Sequence, residues 1–90
     1  MIVTLSSGFA FTQQGTLVVS EAFGGAVDGS AVSSYRVTPS SFEVVSPSVF
    51  TGETAACWVA VSKNGKYAYA ANAGSASVSS YAVAQDGSIT

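Results

Sequence analysis

Val32-Ser33-Ser34-Tyr35-Arg36-Val37 recurs as Val78-Ser79-Ser80-Tyr81-Ala82-Val83, with one residue of six changed. Each copy is short and rich in β-branched and aromatic residues, which reads as a strand. The same order of elements surrounds both copies. Before the first lie Gly8-Phe9-Ala10-Phe11-Thr12, the turn Gln13-Gln14-Gly15, the run Leu17-Val18-Val19-Ser20 and a glycine-rich loop from Phe23 to Gly29. Before the second lie Trp58-Val59-Ala60-Val61-Ser62, the turn Asn64-Gly65, the run Tyr67-Ala68-Tyr69-Ala70 and a shorter loop, Asn72-Ala73-Gly74-Ser75. Asn-Gly between two β-type runs is a strong hairpin signal. After the first copy come Thr38-Pro39-Ser40 and Phe42-Glu43-Val44-Val45, a strand expected to stop before Pro47. After the second come Asp86-Gly87 and the beginning of a fourth strand at Ser88-Ile89-Thr90.

The two copies align closely. Gly15 and Gly65 are separated by the same interval as Thr12 and Ser62, while Val32 and Val78 are four residues closer. On that alignment the first glycine-rich loop carries a four-residue surplus. Four short strands repeated about every 45 residues predict propeller blades. The expected fold is all-β, with two four-stranded antiparallel blades in one unit spanning 1–90. Blade one covers about 8–46 and blade two about 57–90, with residues 1–6 supplying or extending an outer strand. The alternative reading is a single eight-stranded β-sandwich, whose outer faces should carry more charge than this chain has.

Composition fits stacked sheets. Of the 90 residues, 9% are charged and 48% are hydrophobic. An average soluble domain carries about 25% charged residues. A blade lies between two neighbours, so both of its faces are buried and neither needs charge. A chain this short has little core of its own, which implies that some apolar surface is covered by assembly. Expected partners are copies of the same chain, joined head to tail into a closed trimer or tetramer of six or eight blades.

Charge and composition also exclude function classes. The cations are Arg36, Lys63 and Lys66, and the net charge is −2, so no basic patch for nucleic acid can be built. No apolar run approaches the ~18 residues of a membrane helix, and no signal-peptide pattern opens the chain. A cytoplasmic location is therefore expected. With no histidine, the usual serine and cysteine nucleophile arrangements lack their base. No His/Cys cluster supports zinc. No metal, cofactor or catalytic residue is assigned.

Strand order places the loops after the second strand of each blade, and the connection between blades, on one rim. Its polar residues are Glu21, Asp28, Glu53, Thr54 and Asn72. Glu21 and Glu53 are the candidates for a base, or for holding a cation or a sugar hydroxyl; otherwise they are solvated loop carboxylates. Asp28 reads as a turn residue and Cys57 as a small core residue. Trp58 reads as packing or as a stacking platform for a small-molecule or sugar ligand. The candidate ligand-binding set is Glu21, Glu53, Thr54, Trp58 and Asn72. Tyr35, Tyr67, Tyr69 and Tyr81 recur at matching strand positions, which predicts core packing.

Val61-Ser62-Lys63-Asn64-Gly65-Lys66-Tyr67-Ala68-Tyr69-Ala70-Ala71-Asn72 resembles the YVTN-type blade motif, usually V-S-P-D-G-K-x-x-Y-V-A-N. Gly74-Ser75 and Val78-Ser79-Ser80-Tyr81 fit its G-S-x-x-V-S-x-Y continuation. Nearly the whole chain is similar to an internal stretch of the lactonase family, seven-bladed propellers that include 6-phosphogluconolactonase. The resemblance implies the fold more than the activity. Family members have about seven blades, with catalytic groups contributed by several of them. This chain has about two blades, so no catalytic residue is carried over. The resemblance leaves two functions open. One is a structural or ligand-binding propeller fragment that assembles into a ring. The other is a lactone hydrolase acting through rim carboxylates.

Overall fold

The computed structural model describes residues 8–90. The outer-strand expectation for residues 1–6 lies outside that range. The described chain forms two antiparallel sheets. Blade one comprises β1 (Phe9–Phe11), β2 (Thr16–Glu21), β3 (Ala31–Thr38) and β4 (Ser41–Phe50), in that spatial order. Blade two comprises β5 (Ala56–Val61), β6 (Tyr67–Asn72) and β7 (Ser77–Ala82). A single bridge, Val83 to Ile89, begins a fourth strand where the sequence places it. Blade two thus has three strands where four were expected, its fourth represented by that bridge alone; the described residues contain no α-helix, only one 3₁₀ turn at Phe23–Gly25.

Tight turns join the strands for local reasons. Gly15, Gly65 and Gly87 have φ of 86°, 72° and 93°, a region that L side chains avoid. At the β5–β6 turn, Asn64 Oδ1 accepts from Ser62 Oγ and from the Lys66 amide. Asp86 Oδ1 likewise accepts from the Ser88 amide at 2.9 Å and Ser88 Oγ at 2.7 Å. These short polar side chains bond their own backbone, which favours turns over continued strand.

β4 differs from its expected length. It passes through Pro47 to Phe50, leaving only residues 51–55 to connect the blades. Two register shifts accommodate this. Val45 is extra between the pairs Tyr35–Val44 and Ser34–Ser46, and Pro47 with Ser48 oppose Ser33 alone. Proline is tolerated here because β4 is an edge strand and Pro47 lies in a bulge.

The ladders also correct the alignment of the two blades. In blade one the Thr12 amide donates to the Thr16 carbonyl across three residues; in blade two Ser62 donates to Tyr67 across four. Leu17 pairs with Tyr35, and Ala68 pairs with Tyr81. Leu17 therefore corresponds to Ala68, Val18 to Tyr69 and Glu21 to Asn72. The β5–β6 turn is one residue longer than its counterpart. The surplus in the first glycine-rich loop is five residues, not four. Matching the two turn glycines concealed the insertion.

One face of each blade meets the other in a seam. Val18 and Val32 from blade one cluster with Val59, Ala68, Ala70, Tyr81, Val83 and Ile89 from blade two, and Ala10, Val49 and Val61 pack at the edge. Fully burying one valine contributes about 1.5–3 kcal/mol. Polar links cross the same seam. Ser34 Oγ donates to the Gly87 carbonyl at 2.6 Å, and the Ile89 amide donates to Ser46 Oγ at 3.0 Å. Tyr81 Oη reaches the Val49 carbonyl at 3.4 Å, and burial pushes its hydroxyl pKa up. Core packing thus holds for Tyr81. Tyr67 and Tyr69 instead lie exposed on the far face of blade two with Trp58, which is 74% exposed, and Val78. On the far face of blade one Phe9, Phe11, Phe42 and Val44 are exposed, with Phe42 stacked on Tyr35 at 5.1 Å.

The inner strands touch at Gly8. A Cβ there would lie 2.3 Å from the Cys57 carbonyl oxygen and 2.8 Å from the Trp58 Cα, both of them backbone atoms. Gly8→Ala should therefore force β1 and β5 apart, with a loss of about 1–3 kcal/mol read as a lower urea midpoint.

Candidate functional site

The rim predicted to carry a site is formed by residues 22–30, 51–55 and 73–76. Thr54 joins all three segments. Its Oγ1 accepts from the Asp28 amide at 2.9 Å, its amide donates to Ser75 Oγ at 2.8 Å, and its carbonyl accepts from the Gly74 amide at 3.0 Å. Ser30 adds a second link, donating from its amide and its Oγ to the Glu53 carbonyl at 3.2 and 2.7 Å. Gly74 is required by this closeness, since a Cβ would lie 2.7 Å from Thr54 Cγ2.

The five candidate residues do not converge on one point. Glu53 and Thr54 are half-buried in the rim connection. Glu21 ends β2 and turns toward the outer face of blade one, where Ser33 Oγ and Ser48 Oγ both donate to its Oε1, the latter at 3.0 Å. Asn72 ends β6 and turns into the seam. It is 1% exposed, and its Nδ2 donates to Ser79 Oγ at 2.9 Å and Ser77 Oγ at 3.3 Å. Its buried Oδ1 has no partner. Trp58 lies on the outer face of blade two, not on the rim. Glu21 and Asn72 are equivalent positions, and each bonds the equivalent serine, Ser33 or Ser79. The sequence signal for this was the shared Val-Ser-Ser-Tyr segment, read together with the correct register. Both side chains anchor the second and third strands of their blade at the rim end.

Charge is segregated between the two ends of the blades. Glu21, Asp28 and Glu53 lie at the connecting rim, whereas Arg36, Lys63, Lys66, Glu43 and Asp86 lie at the hairpin end. Arg36 Nη2 donates to the Asp86 carbonyl across the seam. The two bonds from Ser88, with a smaller contribution from the Arg36 guanidinium, hold the Asp86 carboxyl below its ordinary value. Among the described residues no group of three or more His, Cys, Asp or Glu could hold a metal ion. No helix among them is long and apolar enough to cross a membrane.

Sequence reading missed a cleft of about 570 Å³ at the hairpin end of the seam. Gln14 and Thr16 line one wall, and Asn64, Lys66, Tyr67 and Gln85 the other. Singly, these residues look like ordinary turn polars. Only the packing of the two hairpins brings them together.

Two stacked antiparallel sheets, each wound outward from an inner strand and joined by an outer-to-inner connection, define a pair of propeller blades. The chain belongs to the lactonase family of seven-bladed β-propellers, whose family model matches residues 7–90. Among curated proteins and solved structures nothing matches it.

Thr54→Val removes the acceptor for the Asp28 amide. Hydrogen exchange at Asp28 should accelerate while strand amides stay protected, which would establish Thr54 as a tie between loops. A lowered carboxyl pKa makes the Asp86 turn stabilising above the ordinary aspartate range, and that contribution is lost as pH falls through the lowered value. Asp86→Asn should therefore flatten the melting temperature's dependence on pH below about pH 4.

Proposed function

We propose that the chain is a structural β-propeller unit that assembles head to tail with copies of itself, without catalysis of its own. The observation that carries this reading is the equivalence of its faces. Ala10, Val18, Val32 and Ser34 line blade one's side of the seam, and their equivalents Ala60, Tyr69, Val78 and Ser80 form the exposed face of blade two. Val59, Ala68, Ala70 and Tyr81 line blade two's side, and their equivalents Phe9, Leu17, Val19 and Tyr35 form the outer face of blade one. Each outer face thus carries the counterpart of a surface already buried within the chain. Exposed apolar faces of this kind mark association sites, and a head-to-tail contact must close into a ring or run on as a filament.

Family membership supports a second reading, lactone hydrolysis at the rim. Glu53 is its best candidate residue, since the Glu21 carboxylate is engaged by two serines. The chain has no histidine to work with it.

Native mass spectrometry at micromolar concentration should give closed multiples of the 9.0-kDa chain. Tyr69→Lys and Phe11→Lys each place a charge in an outer face and should return monomers with unchanged circular dichroism. A stable wild-type monomer would overturn the assembly. Lactone hydrolysis abolished by Glu53→Gln would replace the structural reading with the enzymatic one.

A further inference from the structure

The cleft at the hairpin end of the seam is built from three segments of the chain: the β1–β2 turn, the β5–β6 turn and the residues that follow β7. No rim residue lines it. Its volume, about 570 Å³, is in the range of small-molecule sites. Gln14 enters from blade one, and Asn64, Lys66 and Gln85 enter from blade two, while Val83 and Ala84 supply apolar surface. The fold places two of these polar groups. The Gln14 carboxamide lies against Gly65, where a Cβ would sit 3.0 Å from Gln14 Cδ and closer still to its oxygen. The bare glycine thus lets an amide of blade one rest on a turn of blade two. In that turn Asn64 Oδ1 accepts from Ser62 Oγ at 2.6 Å and from the Lys66 amide at 3.0 Å. Those bonds orient the Asn64 carboxamide and leave its Nδ2 to donate elsewhere.

The electrostatics of the cleft favour one sign of ligand. The Lys66 ammonium and the side-chain amides of Gln14 and Gln85 have no hydrogen-bond partner among the described residues. No carboxylate lines the cleft. Of the two acids at this end, Asp86 turns its Oδ1 onto the amide and hydroxyl of Ser88, and Glu43 stands opposite Arg36 on β4. The cations of the chain, Arg36, Lys63 and Lys66, all lie at this end, whereas the rim carries Glu21, Asp28 and Glu53. An ammonium beside several amide donors, with no acid among them, suits negatively charged oxygen. The apolar surface beside them suits a carbon body.

We infer that this cleft binds a small organic oxyanion, a carboxylate or a phosphate ester. Its charged oxygens take Lys66 and the amides of Gln14, Asn64 and Gln85, and its carbon body covers Val83 and Ala84. The site is formed within one chain, so it does not depend on the assembly proposed above.

Nuclear magnetic resonance titration reads the site directly, because the side-chain NH₂ signals of Gln14, Asn64 and Gln85 report on the cleft. Benzoate and phenyl phosphate are the two probes, and benzyl alcohol is the uncharged control. At least one anion should shift those signals saturably, and benzyl alcohol should bind about tenfold more weakly. Saturation by benzoate alone assigns a carboxylate ligand, and by phenyl phosphate alone a phosphate ester. Saturation by both leaves the shared oxyanion as the feature recognised. Lys66→Met should weaken anion binding about tenfold. Lys63→Met removes a cation from the same turn but outside the cleft lining, and should change binding by less than about twofold, as expected of a solvent-screened charge. Both lysines are exposed, so neither substitution should disturb folding. Failure of both anions to saturate, equal binding of benzyl alcohol, or equal losses at Lys63 and Lys66 would overturn the site.

Discussion

The packing of Val18 and Val32 against Val59, Ala68, Ala70 and Tyr81 is the contact on which the described structure depends. A β-sheet has two faces, and an isolated sheet of three or four strands needs one of them covered to be stable. Each blade here covers one face of the other. The small side chains at this seam, mostly valine, alanine and serine, let the sheets approach closely. Gly8 marks the limit of that approach, with backbone against backbone. The cross-seam bonds from Ser34, Ile89 and Tyr81 then satisfy polar groups that the close approach would otherwise strand.

The same geometry organises the two ends. At the connecting rim, three loops converge on Thr54 because the blades bring their outer ends together. At the hairpin end, the turns of both blades meet and leave a cleft. Glu21 and Asn72 show one structural position used twice under different surroundings. In blade two the position is buried against blade one, and carries a neutral amide. In blade one it faces outward, and carries a carboxylate held by Ser33 and Ser48. Burying a charge without a partner is costly, so an amide suits the buried copy.

The strands and turns were legible in the sequence because they rest on local rules. β-branched runs, turn glycines at positive φ and the Asn64 and Asp86 turns act over a few residues. The fate of Pro47 was less legible. Its local reading stops the strand, but an edge position with a bulge removes the objection. The candidate site was legible only in part. Loop order correctly gathered Glu53, Thr54 and Asp28 on one rim. It could not separate Glu21, Asn72 and Trp58 from them, because side-chain direction alternates along a strand and a one-residue change of register reverses it.

By itself, then, the sequence determined that this is a repeated all-β chain of propeller type, since period, turn chemistry and low charge all act locally and agree. Tertiary structure decided which face each residue occupies. The extra residue in the β5–β6 turn is invisible when the glycines are matched, yet it makes Tyr69 the counterpart of Val18 and Asn72 the counterpart of Glu21. Hydrogen-bond ladders count residues from strand to strand, and only they reveal which side of a sheet a side chain takes. That choice leaves Tyr67, Tyr69 and Trp58 on an open face and Tyr81 in the core.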